Sequence, residues 1–355
     1  MMKKLFILFF LCFLGLIFLN NLVDLPIKIG NYQVNLTLLI PREEENPWQK
    51  IVELFETNYP NIHLNLALGP NSSKELAEVY LNDFQKDEPE YDLVYLDVTW
   101  TAQFARNEWV KDLSSFKPKL TQKEKLQKEF LKNDVEAGFY NDKLYRFPFR
   151  SDVSLVYYRQ DLLNEIQEQP PTSFDDLIRI SQILKSQSLV EQGYLWQGRE
   201  DEGLVAIFVE ILKGFGSSWT NDNIEKLLDK LSAKKTIHFL GALIQKHKIS
   251  PPSVLWDKEI DSQDKFKKGR AAFLRNWAAA WEILNAEDSK VRGKVGVIPI
   301  PTVEDSQYSW SCQGGWGLGI ANQTKYPEEA WITIQFLTSI PSQRLFALYG
   351  YIPTR

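Results

Sequence analysis

Hydrophobic and polar positions repeat with two alternating periods over the first hundred residues. Tyr32–Ile40 and Ile62–Leu68 alternate with period two and predict strands, and Tyr91–Leu96 is a short apolar run typical of a buried strand. Between them, Pro47–Tyr59 carries apolar residues at helical spacing, and a second helix is predicted to begin at Ser72. This β-α-β-α-β order predicts an α/β lobe.

The rest of the chain continues with mixed patterns. A strand is predicted at Ser154–Arg159, and Ser173 with Asp176 forms a capping pair before a helix. The stretch from Asp161 to about Lys268 is predicted to be mostly helical. Later elements follow in order, namely strands at Ala271–Leu274, Val295–Ile298 and Gly317–Ile320 and helices at Pro327–Ser339 and Pro341–Leu348.

The N-terminus has the pattern of an export signal. Lys3 and Lys4 precede an apolar run of fifteen residues, Leu5–Leu19, and no small-residue cleavage site follows it. Residues 1–23 are therefore either a cleaved signal peptide or an uncleaved membrane anchor. Both alternatives place the body of the protein in the periplasm or on the extracellular face of the cytoplasmic membrane.

Composition narrows the function classes. A chain of 355 residues is long enough for two lobes, and 44% hydrophobic with 25% charged residues is ordinary globular composition. A net charge of −5 without a basic run gives no reason to expect nucleic acid. Three histidines and two cysteines leave too few ligands for a zinc or iron–sulfur site, so we expect no metal and no cofactor.

Aromatic residues and glycines concentrate near residues 268–316. The segment contains K-G-R-A-A-F-L-R-N-W-A-A-A-W, V-G-V-I-P-I-P and C-Q-G-G-W-G-L-G-I. The apolar C–H faces of a sugar ring stack on tryptophan, and glycine lets a backbone approach a bulky ligand. The segment favours carbohydrate binding over bond-breaking chemistry.

Several motifs, in one order, resemble a known family. They include W-Q-K-I-V-E-L-F-E-T-N-Y-P-N-I-H-L, Y-D-L-V-Y-L-D-V-T-W, Y-N-D-K-L-Y-R-F-P-F-R-S-D-V-S-L-V-Y-Y-R-Q-D-L-L, P-P-T-S-F-D-D-L and F-K-K-G-R-A-A-F, followed by the Trp and Gly motifs above. From about residue 32 to its end, the chain is similar to the extracytoplasmic sugar-binding proteins of ABC importers, of the maltose/trehalose type.

The resemblance implies an α/β, two-lobe periplasmic-binding-protein-like fold of type II. Hinge strands would cross near Phe149–Asp152 and Pro299–Pro301. One lobe would hold residues 32–149 plus 302–349, and the other residues 150–301. Relatives continue past the point that matches the last residues here, so the resemblance also predicts that a C-terminal part of the second lobe is missing.

The resemblance assigns ligand contacts residue by residue. Asp97 and Asp152 match carboxylates that accept sugar hydroxyls, although a helix-capping Asp97 and an Asp152 paired with Arg150 or Arg159 are open alternatives. Trp277 matches the stacking tryptophan, whereas Trp281, four residues on, is expected in the core.

Further positions are implied in the same way. Gly314, Gly315 and Trp316 match a G-G-W motif that lines the pocket, and a plain glycine-rich turn is the alternative. Glu44 aligns with a glutamate that reaches the sugar, or belongs to an acidic first turn of a helix. Trp196 and Glu202 fall in a stretch that forms a pocket wall in relatives.

Three functional hypotheses follow. The first is a monomeric, non-enzymatic binding protein that delivers a sugar to the permease subunits of an ABC transporter. The second is a secreted glycoside hydrolase with Asp97 and Asp152 as its paired carboxylates. The third is an iron binder that uses Tyr157 and Tyr158, which the predicted strand disfavours because adjacent side chains would point to opposite faces.

Overall fold

The computed structural model describes residues 32–217, 230–303, 306 and 308–355. The strands are β1 Val34–Pro41, β2 Ile62–Gly69, β3 Leu93–Asp97, β4 Phe139–Tyr140, β5 Lys143–Leu144, β6 Phe147–Arg159, β7 Gln192–Leu195, β8 Ala271–Trp277, β9 Val295–Ile298, β10 Gln313–Ile320 and β11 Ile352–Pro353. The α-helices are α1 Glu45–Asn58, α2 Ser73–Asp83, α3 Thr101–Arg106, α4 Leu113–Phe116, α5 Lys123–Glu129, α6 Lys132–Glu136, α7 Gln160–Glu165, α8 Phe174–Ser186, α9 Glu202–Gly214, α10 Lys230–Gln245, α11 Glu259–Lys267, α12 Ala280–Leu284, α13 Pro327–Leu337 and α14 Ile340–Ala347.

One long strand connects the two halves of the main sheet. The strand order is β2-β1-β3-β10-β6-β8-β7, with β9 and β11 also pairing with β6. The first part of β6 lies antiparallel to β10 and β11, and the part from Ser154 onward lies antiparallel to β8 and β9. Residues of β6 near position 153 therefore join two sets of strands.

Two hydrophobic cores lie on the two sides of this junction. The first core draws its buried residues from 34–149 and 316–346, and the second from 156–303. Trp48 and Phe149 are fully buried in the first, and Tyr157 and Phe273 in the second. The predicted lobe boundaries, at residues 149/150 and 301/302, stay a prediction.

The periodic segments fold largely as their patterns predict. β1, β2 and β3 pair in parallel as a β-α-β-α-β unit would, with Val34 opposite Ile62 and Leu38 opposite Leu93. Ser72 caps α2 through its side chain, and Ser173 Oγ accepts from the backbone N–H of Asp176 at 3.1 Å.

Two segments differ from the sequence-based expectation. The stretch predicted to be mostly helical contains β7, whose residues Gln192–Leu195 pair in parallel with β8. The second is at Trp281, which lies in α12, whereas Trp277 ends β8. Trp281 is 40% exposed, which corrects its expected place in the core.

The chain termini complete the description. The predicted leader, residues 1–23, lies outside the described residues. Within the described ranges, every helix is too short or too polar to span a membrane. At the other end β11 pairs with β6, and the Thr354 hydroxyl donates to the Phe149 carbonyl at 3.1 Å.

Candidate functional site

A cleft of about 540 Å³ lies between the two cores, within the usual size range of small-ligand sites. Most of its lining side chains are polar or aromatic. They include Glu43, Glu44, Asn71, Ser72, Ser73, Glu75, Asp97, Arg150, Trp316, Tyr349 and Tyr351 on the side of the first core, and Asp201, Glu202, Lys258, Glu259, Gln263, Asn276, Trp277 and Glu282 on the side of the second. Asp152, Gly314 and Gly315 line it at the junction.

Asp97 lies at the carboxyl end of β3, where α/β sheets commonly place ligands. Its Oδ1 accepts the backbone N–H of Thr99 at 2.8 Å and the Thr99 hydroxyl at 2.7 Å. Burial raises the pKa of this carboxyl. The Asp97 side chain therefore caps the following turn through Oδ1. Since neither of these hydrogen bonds uses Oδ2, the side chain can also line the cleft.

Arg150 organises the floor of the cleft. Its Nη2 donates to Glu44 Oε1 at 2.6 Å and its Nε to the Tyr95 hydroxyl at 2.7 Å. Glu44 Oε2 also accepts from Trp48 Nε1 at 3.2 Å and from the Tyr95 hydroxyl at 3.0 Å. The Arg150 guanidinium lies 4.8 Å from the ring centre of Tyr351. The Glu44 carboxylate is therefore committed to buried partners and holds Arg150 in place.

Asp152 continues this network toward the junction. Its Oδ2 lies 3.5 Å from Arg150 Nη1, and its Oδ1 accepts its neighbour's backbone N–H at 2.9 Å. Burial raises the pKa of Asp152 to about 6, against the opposing effect of Arg150. The pairing with Arg150 proposed as an alternative for Asp152 is thus present, and the residue also lines the cleft.

Trp277 ends β8 and lines the cleft from the second core. Its Nε1 donates to Glu259 Oε1 at 3.4 Å, and the Arg275 guanidinium lies 4.5 Å from its ring centre. Arg275 is fully buried and its Nη2 donates to Glu210 at 2.5 Å. A buried ion pair therefore supports the indole and fixes its orientation.

The two glycines of the G-G-W motif let the backbone of β10 pack closely against Trp277 and against β6. A Cβ at Gly314 would lie 3.1 Å from Trp277 Cζ3, and one at Gly315 would lie 2.6 Å from the Arg150 carbonyl oxygen. Gly315 also has φ of +120°, which side chains disfavour. Trp316 is largely buried, with its ring 4.6 Å from that of Tyr95, so it forms the cleft wall and part of the first core together.

Glu202 closes one end of the cleft. It lies at the start of α9, where its carboxylate accepts from the Ser73 hydroxyl across the cleft. Burial and the charge of Asp97 raise the pKa of Glu202 to about 8. Lys258 Nζ bridges the same end, 2.9 Å from Glu75 and 3.4 Å from Asp201.

Trp196 does not line the cleft, in contrast to its predicted place in a pocket wall. The indole is 2% exposed and its Nε1 donates to Ser250 Oγ at 3.1 Å inside the second core. Trp196 follows β7 directly, and that strand was not foreseen. Without β7, the sequence carried no indication that the indole of Trp196 points into the second core.

Sequence reasoning missed other lining residues. Glu43 faces the open cleft, where burial of its carboxyl and the adjacent Glu44 raise its pKa to about 7. Arg150 stood only as a partner for Asp152, although the period-two alternation of β6 puts both residues on one face of the strand. Tyr351 and Glu259 lacked any sequence signal, because only the fold brings them to the cleft.

The surroundings of Tyr157 disfavour the iron hypothesis. Tyr157 is fully buried and its hydroxyl lies 2.9 Å from the carbonyl oxygens of both Trp277 and Ala278, which share its one proton as acceptors. Across the described ranges, no cluster of three or more His, Cys, Asp or Glu side chains is arranged to hold a metal.

Comparison with known proteins agrees with this architecture. The family model of the bacterial extracellular solute-binding proteins matches residues 42–344. The chain belongs to this family. A probable ABC transporter-binding protein of Deinococcus radiodurans is 26% identical over 298 residues, which cover 82% of this chain and 69% of that protein.

Solved structures show the same fold. The maltose-bound MalE3 of T. maritima matches with a TM-score of 0.83 and 32% identity, covering 91% of this chain and 82% of its own. The GacH receptor of Streptomyces glaucescens, solved unliganded and with acarbose, matches with a TM-score of 0.75 at 19% identity, covering 92% and 81%. The predicted α/β class with a type II periplasmic-binding-protein fold is confirmed.

Proposed function

We propose that this extracellular solute-binding protein captures a small oligosaccharide or glucoside in the cleft and delivers it to the permease subunits of an ABC importer. The observation that carries the proposal is the placement of Trp277, at the end of β8, in one cleft with Asp97, at the end of β3. An aromatic platform together with buried hydrogen-bond acceptors suits a polyhydroxylated ring. The match to maltose-bound MalE3 supports this ligand class.

The lining residues have different roles in binding the sugar. Trp277 stacks on a sugar face, while Asp97 and Asp152 accept hydroxyl hydrogen bonds. Glu202 and Trp316 complete the walls, and Gly314 and Gly315 let the backbone approach the ligand. Glu44 acts one step away by orienting Arg150 rather than by touching the sugar, because its carboxylate oxygens are already occupied. We expect micromolar affinity, about −8 kcal/mol.

Capture involves closure of two lobes with the predicted boundaries, 32–149 plus 302–349 and 150–301. The continuous strand β6 supports this proposal, since a few of its residues link two separately packed cores. Hinge motion of this kind needs a small number of residues that absorb the backbone change. The protein acts as a monomer, outside the cytoplasmic membrane, after export by its predicted leader.

Isothermal titration and thermal shift test the proposal. The purified protein is titrated with maltose, trehalose, sucrose and glucosylglycerol, and at least one is expected to bind and raise the unfolding temperature. Binding of none of these sugars would overturn the carbohydrate function. Chromatography of the same mixtures should find every sugar intact, and released monosaccharides would instead identify a glycoside hydrolase.

A further inference from the structure

Charge in the cleft is strongly unbalanced. Among the residues the structure describes, nine acidic side chains line the cleft against two basic ones. The acidic residues are Glu43, Glu44, Glu75, Asp97, Asp152, Asp201, Glu202, Glu259 and Glu282, and the basic residues are Arg150 and Lys258. The whole chain has a net charge of only −5, so this excess is a local property of the site.

Both cations are already engaged by part of the acidic set. Arg150 pairs with Glu44 at 2.6 Å and contacts Asp152 at 3.5 Å. Lys258 pairs with Glu75 at 2.9 Å and Asp201 at 3.4 Å. A ligand anion entering the cleft would therefore compete with existing ion pairs instead of meeting a waiting cation.

The other five acidic side chains have no basic partner within ion-pair distance among the described residues. They are Glu43, Asp97, Glu202, Glu259 and Glu282. Their described side-chain hydrogen bonds come from neutral donors: the Ser73 hydroxyl to Glu202, Trp277 Nε1 to Glu259, and the Thr99 hydroxyl to Asp97. Burial, together with the nearby carboxyl groups of Glu44 and Asp97, raises the pKa of Glu43 to about 7 and that of Glu202 to about 8.

From this geometry we infer that the cleft discriminates saccharides by charge: it takes those that carry a protonated amine over those that carry a carboxylate or a phosphate. An ammonium group supplies a positive charge that these lining carboxyl groups lack, favours the ionised form of those that are protonated near neutral pH, such as Glu202, and can donate its N–H groups to several of them together. An anionic group would add to a field of the same sign in a partly enclosed site. The inference rests on the proposed carbohydrate function and specifies its ligand class.

The inference is tested with sugars that differ only in charge. Maltose and trehalose are compared with their 6-amino-6-deoxy and 6-carboxy derivatives by isothermal titration at pH 7.0 and low salt. The amino derivatives are expected to bind at least about tenfold more tightly than the acidic ones, and 0.5 M salt should narrow this ratio because it screens exposed charges.

Variants locate the effect in the cleft. Glu282→Gln removes one unpaired lining carboxylate and should reduce the amino-to-acidic ratio by about fivefold. Glu43→Gln should reduce the ratio by less, because a carboxyl with a pKa of about 7 is only about half ionised at the pH of the titration. Glu124→Gln, on exposed α5 away from the cleft, should leave the ratio unchanged. Thermal unfolding of each variant checks that it is folded.

The possible failures are distinguishable. If the neutral sugars bind while acidic and amino derivatives bind equally, the charge inference is overturned and the carbohydrate function stands. Tighter binding of the acidic derivatives has the same meaning. If neither these six sugars nor the sucrose and glucosylglycerol of the first panel bind, the carbohydrate function fails, and the inference fails with it.

Discussion

Arg150 Nη2 lies 2.6 Å from Glu44 Oε1, which joins two side chains that are 106 positions apart in the sequence. Both side chains are buried, with 7% and 3% of their surface exposed. Each charge satisfies the other, and Tyr95 and Trp48 complete their hydrogen bonds. The pair fixes the start of α1 against β6, and so positions the cleft floor.

Removing one member of this pair should be costly. Arg150→Met leaves the Glu44 carboxylate buried without its cation, and we expect a loss of about 3–5 kcal/mol in the free energy of unfolding, measured by urea denaturation. The double variant Glu44→Gln/Arg150→Met should recover part of the loss, since the Glu44 charge is removed together with its cation. The loss that remains includes Asp152, which also faces Arg150 at 3.5 Å.

A surface ion pair provides the control. Arg179 pairs with Glu168 at 2.5 Å, but half of the Arg179 side chain is exposed. Arg179→Met should cost under about 1 kcal/mol. If Arg150→Met is equally mild, the buried pair does not organise the site as described here.

The sequence predicted features that depend on neighbouring residues better than features that depend on contacts between distant residues. Period-two and helical patterns are local, so β1–β3, α1 and the caps at Ser72 and Ser173 were predictable. β7 has only four residues between helical stretches, and Gly193 in it weakens the strand pattern. Trp196 was misplaced with it.

The site itself depends on long-range contacts. The family resemblance nominated Asp97, Asp152 and Trp277, and the structure brings all three to one cleft. No local pattern could indicate that Glu44 is occupied by Arg150, because their proximity arises from packing between α1 and β6. The acidic excess of the cleft was equally invisible in a chain of ordinary overall charge.

Trp277 should dominate sugar affinity. Trp277→Ala removes the aromatic platform, and we expect it to weaken binding of the best sugar in the panel by about 1–3 kcal/mol in titration calorimetry. Trp281→Ala is the matched control, because Trp281 is 40% exposed and does not line the cleft. Unchanged affinity in Trp277→Ala would remove this residue from the site.

Gly315 should tolerate no side chain. Gly315→Ala places a Cβ 2.6 Å from the Arg150 carbonyl oxygen at φ of +120°, so we expect a loss of at least about 2 kcal/mol of stability in chemical denaturation.

Two other glycines separate the causes of that loss. Gly293→Ala meets no atom within 4 Å but has φ of +71°, and it should cost only about 1–2 kcal/mol from backbone strain. Gly241→Ala, in α10 with open space around it, should be neutral or stabilising by up to about 1 kcal/mol. Equal losses at Gly315 and Gly293 would show that the contact with Arg150 is unimportant.

The carboxyl group of Glu202 should make stability depend on pH. Its pKa rises from the ordinary 4.5 to about 8 because burial and the charges of Asp97, Glu259 and Asp201 disfavour ionisation, and the Ser73 hydrogen bond offsets this only in part. Between these two values the folded protein holds a proton that the unfolded chain has released. Glu202 therefore makes the free energy of unfolding fall as pH rises from about 4.5 to about 8.

Substitution by glutamine isolates this contribution. Glu202→Gln cannot ionise, so its thermal unfolding temperature should decline less steeply than that of the wild type between pH 5 and pH 8.5. Glu43 and Asp152, whose pKa values are raised to about 7 and about 6, act with the same sign, so part of the slope should remain. The exposed Glu124→Gln should follow the wild type. A Glu202→Gln profile parallel to the wild type would show that this carboxyl ionises normally in the folded cleft.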